Sequence, residues 1–137
     1  MTSPSTAEVV TRYLEALSAG DVDAAVALVA EDFHNEHTSA LGNSLHGRAA
    51  YRERLPRFLA QFQGLRYELE DLIVDGERAA APYTMTFRWQ REDGTEAPVR
   101  IRGIFRFRVV DGLIAHRVDY WDGADFQRQV AATQGAA

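Results

Sequence analysis

Asp119 stands in Ala115-His116-Arg117-Val118-Asp119-Tyr120-Trp121-Asp122, a run that reads as the end of a strand. Strand interiors are poor in Asp, and a carboxylate turned inward must be paired or have its pKa raised. A raised pKa suits a general acid or base working near neutrality. A carboxylate on the outer face is merely solvated. Alternation leaves both faces open: Ile114, Val118 and Tyr120 share one parity, while Leu113, Ala115, Arg117, Asp119 and Trp121 share the other. Arg117 shares Asp119's parity, so the two are same-face neighbours about 7 Å apart. Arg117 can hold the carboxylate ionised, but its plainer reading is a surface pair contributing well under about 1 kcal/mol.

A second group of reactive side chains is His34-Asn35-Glu36-His37. Two His and a Glu are metal-ligand types, yet their spacing matches no standard zinc motif, and no metal is expected. A histidine here serves better as a hydrogen-bond donor or proton carrier beside a cavity, or simply as a surface residue. His46 and His116 have no distinguishing context. Tyr83, Met85, Phe87 and Trp89, with Phe105 and Phe107, make an aromatic-rich face. Such a stripe is usually plain core, but a strongly curved sheet would leave part of it to line a pocket. The row Arg100, Arg102, Arg106 and Arg108 suits an outer sheet face or a subunit interface with acidic partners. Phosphate-binding glycine loops, nucleophile elbows and dinucleotide fingerprints are absent.

The elements that must position these residues change character along the chain. Val9, Val10, Tyr13, Leu14 and Leu17 fall at helical spacing behind a Ser5 or Thr6 cap, with Glu8 placed for a capping box and Gly20 as the stop. Asp21 caps a second helix running to about Ala30. Residues 33–46 have no period and are rich in turn formers, which predicts a loop. A third helix follows Gly47 and ends at Gly64, with Pro56 either closing its first turn or kinking it. From Leu65 the period becomes 2. One strand runs to Asp75-Gly76, a second spans Tyr83 to Trp89, a third spans Val99 to Val109, and a last runs from Leu113 to Trp121, with hairpins at Asp93-Gly94 and Asp111-Gly112. Gly123 to Gln134 reads as a short helix or a frayed tail. Helices first and hairpins after predict an α+β domain whose helices cover one face of an antiparallel sheet and enclose a pocket.

Composition bounds the function. The 137 residues suit one domain. Zero cysteines exclude disulfides, thiolate nucleophiles and Cys-ligated metal. Lys and Arg number 15 against 20 Asp and Glu, a net charge of -5 that argues against a nucleic-acid partner. No apolar run approaches the ~20 residues of a membrane span, and the first residues lack a signal peptide's basic and apolar regions. A soluble, cytoplasmic protein is expected.

Several short motifs, in order over residues 6 to about 130, resemble the SnoaL-like branch of the nuclear transport factor 2-like superfamily, which implies a single domain with its core there and flexible ends. They are the helix-Gly20-Asp21-helix unit, Ala30-Glu31-Asp32-Phe33, His46-Gly47-Arg48-Ala49-Ala50, and Asp111-Gly112-Leu113-Ile114 leading to Asp119-Tyr120-Trp121-Asp122. The resemblance implies a cone-shaped α+β barrel with a deep apolar pocket, a homodimer packed through the sheet, and a pocket carboxylate that moves a proton without metal or organic cofactor. Its enzymes include ketosteroid isomerase, polyketide cyclases and limonene epoxide hydrolase. The ending Asp119-Tyr120-Trp121-Asp122 is similar to the hydrolase's Asp-Tyr-Phe-Asp, which maps its water-activating Asp onto Asp119; the cyclases also place an acid/base Asp on this strand. Asn35 and His37 fall where the hydrolase has a polar pair. The stretch Glu77-Arg78-Ala79-Ala80 keeps an Arg at Arg78 but carries Ala80 where the hydrolase has its second Asp, and the isomerase's oxyanion pair has no match. The resemblance thus implies an isomerase- or cyclase-like enzyme acting on a small apolar, cyclic carbonyl compound, or a non-catalytic binding protein of the same fold. The expected catalytic residues are Asp119 and His37. The expected substrate-binding residues are Asn35, Tyr83, Trp89, Phe105 and Arg117.

Overall fold

Ser5 accepts the Glu8 amide at 3.1 Å and opens α1 (Thr6–Ala19), a cap contributing about 1 kcal/mol. Gly20, at φ 71°, turns its own amide back onto the carbonyls of Ala16 and Leu17. Asp21 then accepts from Ala24 at 3.0 Å to start α2 (Val22–Ala27). The computed structural model describes residues 3–39 and 41–132; the expectations for residues 1–2 and 133–137 lie outside these. The elements that follow are β1 (Val29–His37), β2 (Leu45–His46), α3 (Arg48–Gln61), β3 (Phe62–Leu69), β4 (Ile73–Asp75), β5 (Arg78–Gln90), β6 (Glu96–Val110), β7 (Leu113–Tyr120) and α4 (Gly123–Ala132).

The strands form one curved, unclosed sheet in the order β2-β1-β7-β6-β5-β3, with β4 paired to β5. This is an α+β architecture, but the sheet is mixed: β1 runs parallel to β7, and the other pairs are antiparallel. Half of the expected loop at 33–46 is strand, residues 33–37 in β1 and 45–46 in β2. Phe33, Asn35 and His37 alternate with His34 and Glu36, but two of the three inward positions are polar, so no hydrophobic period announces the strand. Giving Val29 and Ala30 to β1 also ends α2 at Ala27. The chain passes through Pro56 within α3, although that ring removes one amide from the helix ladder. Gly64 lies inside β3, at φ 65°, where the pairing with β5 shifts register, rather than at a helix end.

Asp111 and Gly112 both have positive φ, 50° and 78°, the backbone of a two-residue hairpin turn whose twist matches its strands. Beyond it the β6–β7 register shifts: Val109 faces Ile114, then Arg108 faces His116, so Ala115 is an extra residue in β7. That bulge reverses the parity of the strand. Ile114 turns inward beside Val109, and two residues past the bulge Arg117 and Asp119 turn inward opposite Phe107 and Phe105.

The core forms where α1 lies across the sheet. Val9, Val10, Tyr13, Leu14 and Leu17 are buried with Phe105, Phe107, Val109 and Ile114, each such side chain contributing about 1.5–3 kcal/mol. Tyr13 stands edge-on to Phe107 with ring centres 6.0 Å apart. The arginine row of β6 lies on the opposite, outer face, where Arg102 clasps Glu70 at 2.6 and 2.9 Å and Arg108 approaches Glu77 at 3.7 Å.

Candidate functional site

Between the sheet, α3 and α4 lies a cavity of about 610 Å³, a size ordinary for small-molecule sites. Phe58, Phe62, Met85, Trp89, Ile101 and Phe126 form its apolar wall. At one side four polar residues meet: His37 from β1, Tyr83 from β5, and Arg117 and Asp119 from β7. The parallel register sets His37 directly beside Asp119.

Asp119 is only 6% exposed. Its Oδ1 accepts the Tyr83 hydroxyl at 2.6 Å. Its Oδ2 lies 3.8 Å from His37 Nδ1, too far for a hydrogen bond. Burial pushes the Asp119 carboxyl up to about 6, against the opposing pull of Arg117 and of the Tyr83 hydrogen bond. The group therefore titrates within reach of neutrality. Burial, with Asp119's charge next, also drives the Tyr83 phenol well above its ordinary value, so Tyr83 remains a donor.

His37 is neutral here. Burial first, then the cations Arg117 and Arg54, push it down to about 3, so its contact with Asp119 is not an ion pair. Nε2 sits 3.5 Å from Arg117 Nη2. A guanidinium offers only donors, which makes Nε2 the acceptor and leaves the ring proton on Nδ1. That assignment follows from the hydrogen-bond pattern. Nδ1 is buried and has no partner. A buried donor without an acceptor is unstable by about 1–3 kcal/mol until something accepts from it.

Arg117 is held from every side. Nε donates to Asn35 Oδ1 at 2.9 Å, Nη1 donates to the Tyr13 hydroxyl at 3.1 Å, and that hydroxyl bonds to Tyr51. The guanidinium also lies over Phe105, 5.0 Å from the ring centre. The surface ion pair expected from sequence is thus replaced by a buried cation, fixed beside the carboxylate and not hydrogen-bonded to it among the described residues.

Asp119, His37, Tyr83, Trp89 and Arg117 all border the cavity, whereas Asn35 and Phe105 do not. Asn35 borders only an adjoining recess of about 30 Å³ and acts as an anchor for Arg117. Phe105 is fully buried beneath Tyr83, with ring centres 4.5 Å apart. Both face inward, Phe105 as its alternation predicts, but other side chains cover them. The grouping of His34, Glu36 and His37 as metal ligands fails on alternation, which sends His37 inward and the other two outward. Arg78 and Ala80 lie away from the cavity.

Five residues of the site escape a reading by periodicity. Tyr67 borders the cavity, packs edge-on against Tyr83, and has a hydroxyl without a protein partner among the described residues. Tyr13 and Tyr51 resemble ordinary helix core in sequence. Gly42 and Gly103 matter for their missing side chains: a Cβ on Gly42 would overlap His37, and one on Gly103 would overlap the Tyr83 hydroxyl. Gly103, set in the middle of an apolar alternation, was the visible signal that another group passes close by.

Residues 10–117 match the family described as the SnoaL-like domain, and the chain belongs to that family. No curated protein matches it. Among solved structures it is similar to a protein assigned as a SnoaL-like polyketide cyclase from Shewanella putrefaciens, with TM-score 0.83 and 16% identity over 94% of this chain and 87% of that one. It is also similar to one assigned as a polyketide cyclase from Xanthomonas campestris, with TM-score 0.75 and 28% identity over 91% and 96%. A protein of ketosteroid isomerase-like fold from Catenulispora acidiphila, solved in complex with trimethylamine, has TM-score 0.81 and 18% identity over 95% of each chain. No helix among the described residues is long and apolar enough to cross a membrane.

Proposed function

We propose that this protein is a proton-transfer enzyme of the isomerase or polyketide-cyclase type, acting on an apolar cyclic carbonyl compound with Asp119 as its base. The observation that carries this reading is a buried carboxylate at the cavity wall with one oxygen held by Tyr83 and the other 3.8 Å from an unpartnered imidazole donor. Asp119 Oδ2 removes a proton from the carbon next to a carbonyl. The electron pair moves onto the carbonyl oxygen, which accepts from His37 Nδ1–H with the Arg117 charge close behind. The protonated Asp119 then returns its proton to a different carbon, which is isomerisation. In a cyclisation, the enolate carbon attacks a second carbonyl of the same molecule and the proton goes to the new alkoxide. Trp89, Phe62 and Met85 supply an apolar wall for the ring system, and the free Tyr67 hydroxyl offers it a further contact.

The test is hydrogen exchange. Cyclic enones and aromatic diketones are incubated with the protein in D₂O and their α-hydrogens followed by NMR. The wild type is expected to exchange at least one class, and Asp119→Asn to lose that exchange while keeping its circular dichroism spectrum. Exchange retained in the variant removes Asp119 as base. Binding without exchange across the panel makes the protein a ligand carrier instead.

A further inference from the structure

On the outer face of β1 and β7, three of the four inward polar residues have a metal-ligand type just before them in the chain. His34 precedes Asn35, Glu36 precedes His37, and His116 precedes Arg117. The register sets His34 beside His116 on one side and His46 on the other. The three imidazoles stack, with ring centres 4.6 Å apart for His34 and His116 and 4.0 Å for His34 and His46. Glu36 Oε1 lies 3.0 Å from His116 Nε2. One ligand atom each from His34, Glu36 and His116 falls within 4.8 Å of the others.

We propose that His34, Glu36 and His116 form a binding site for one divalent transition-metal ion of the zinc type, on the sheet face opposite the cavity. Two imidazoles and one carboxylate are a nitrogen-rich donor set. It suits zinc, nickel or copper, and it offers too few oxygens for magnesium or calcium. Bonds of about 2.0–2.2 Å to a tetrahedral ion place ligand atoms roughly 3.4 Å apart. Closing from 4.8 Å asks the rings to turn out of their stack rather than the strands to move. The side chains are accessible enough to do so, His116 being 31% and Glu36 40% exposed. His46 or water completes the coordination. The nearest cation in the row, Arg108 on β6, is drawn towards Glu77 at 3.7 Å. An ion held here would clip β1 to β7, the parallel pair whose other face carries His37, Arg117 and Asp119.

The experiment uses the full chain without a histidine tag, stripped with EDTA and dialysed. Titration calorimetry with ZnCl₂ is expected to show one equivalent bound, MgCl₂ none, and ZnCl₂ to raise the melting temperature. His34→Ala with His116→Ala is expected to abolish both signals while melting in EDTA near the wild type; Glu36→Gln weakens binding at least tenfold. Absence of one-equivalent saturation by Zn²⁺, or an unchanged isotherm in the double variant, overturns the proposal. Imidazole nitrogen NMR of the wild type locates the ion without any variant: shifts at His34 and His116 support the site, and shifts confined to His37 refute it.

Discussion

Replacing Asp119 with Asn is expected to slow proton transfer severely and, at the same time, to stabilise the protein above pH 6. The carboxyl is raised in the folded state from its ordinary 3.8 to about 6, and burial is the largest cause. A folded-state pKa above the unfolded one means that the native protein keeps this proton while the unfolded chain has lost it. Stability associated with Asp119 is therefore full below about pH 4, declines as pH rises towards 6, and stays lowered above. At about 1.4 kcal/mol per tenfold in acidity, the ionised group destabilises the native state by about 3 kcal/mol at pH 7. An amide never ionises and escapes this penalty. It accepts a weaker hydrogen bond from Tyr83 than a carboxylate does, which returns about 1 kcal/mol. The net gain of about 1–2 kcal/mol corresponds to roughly 3–8 °C in melting temperature for a chain of this length. The assay is thermal unfolding of both proteins from pH 4 to 8. Other titrating groups are common to both, so the difference between the curves isolates Asp119. A variant less stable than the wild type at pH 7, or a difference that does not grow between pH 4 and 6, refutes the account of a desolvated carboxylate. Activity on any exchanged substrate is expected to fall by about 10²–10⁴.

Two further substitutions probe how the site is assembled. Tyr83→Phe removes the hydrogen bond that holds Asp119 down, so the rise of activity with pH should move to higher pH than in the wild type; an unmoved or lower onset contradicts the role given to that bond. Gly103→Ala would drive a methyl group into Tyr83 and to 2.8 Å from the Tyr120 carbonyl, destabilising the protein by about 1–3 kcal/mol, to be read from the urea midpoint; an unchanged midpoint refutes the close approach.

Much of the architecture follows from local chemistry that the chain carries openly. Ser5, Gly20, Asp21 and the Asp-Gly turns have backbone roles set by their own side chains or by the lack of one, so the helix starts and hairpins are readable before anything packs. The alternation from Tyr83 to Trp89 and from Val99 to Val109 likewise assigns inner and outer faces, because a strand spanning core and solvent must sort its residues by polarity. The motif order also points to the SnoaL-like family. Where the inner face is itself polar, that logic fails. Asn35 and His37 face inward, and hydrophobicity alone therefore makes β1 look like a loop. Asp119's orientation depends on the Ala115 bulge, a mismatch between two strands that no property of β7 alone reveals. Arg117's partners Tyr13 and Asn35, with Tyr51 bonded behind Tyr13, come from three separate elements, and only the folded packing gathers them around one guanidinium. The residue types able to do chemistry were thus present in the sequence. Their burial, protonation and mutual distances were decided by the tertiary structure, since desolvation and long-range contact exist only once the chain has closed around them.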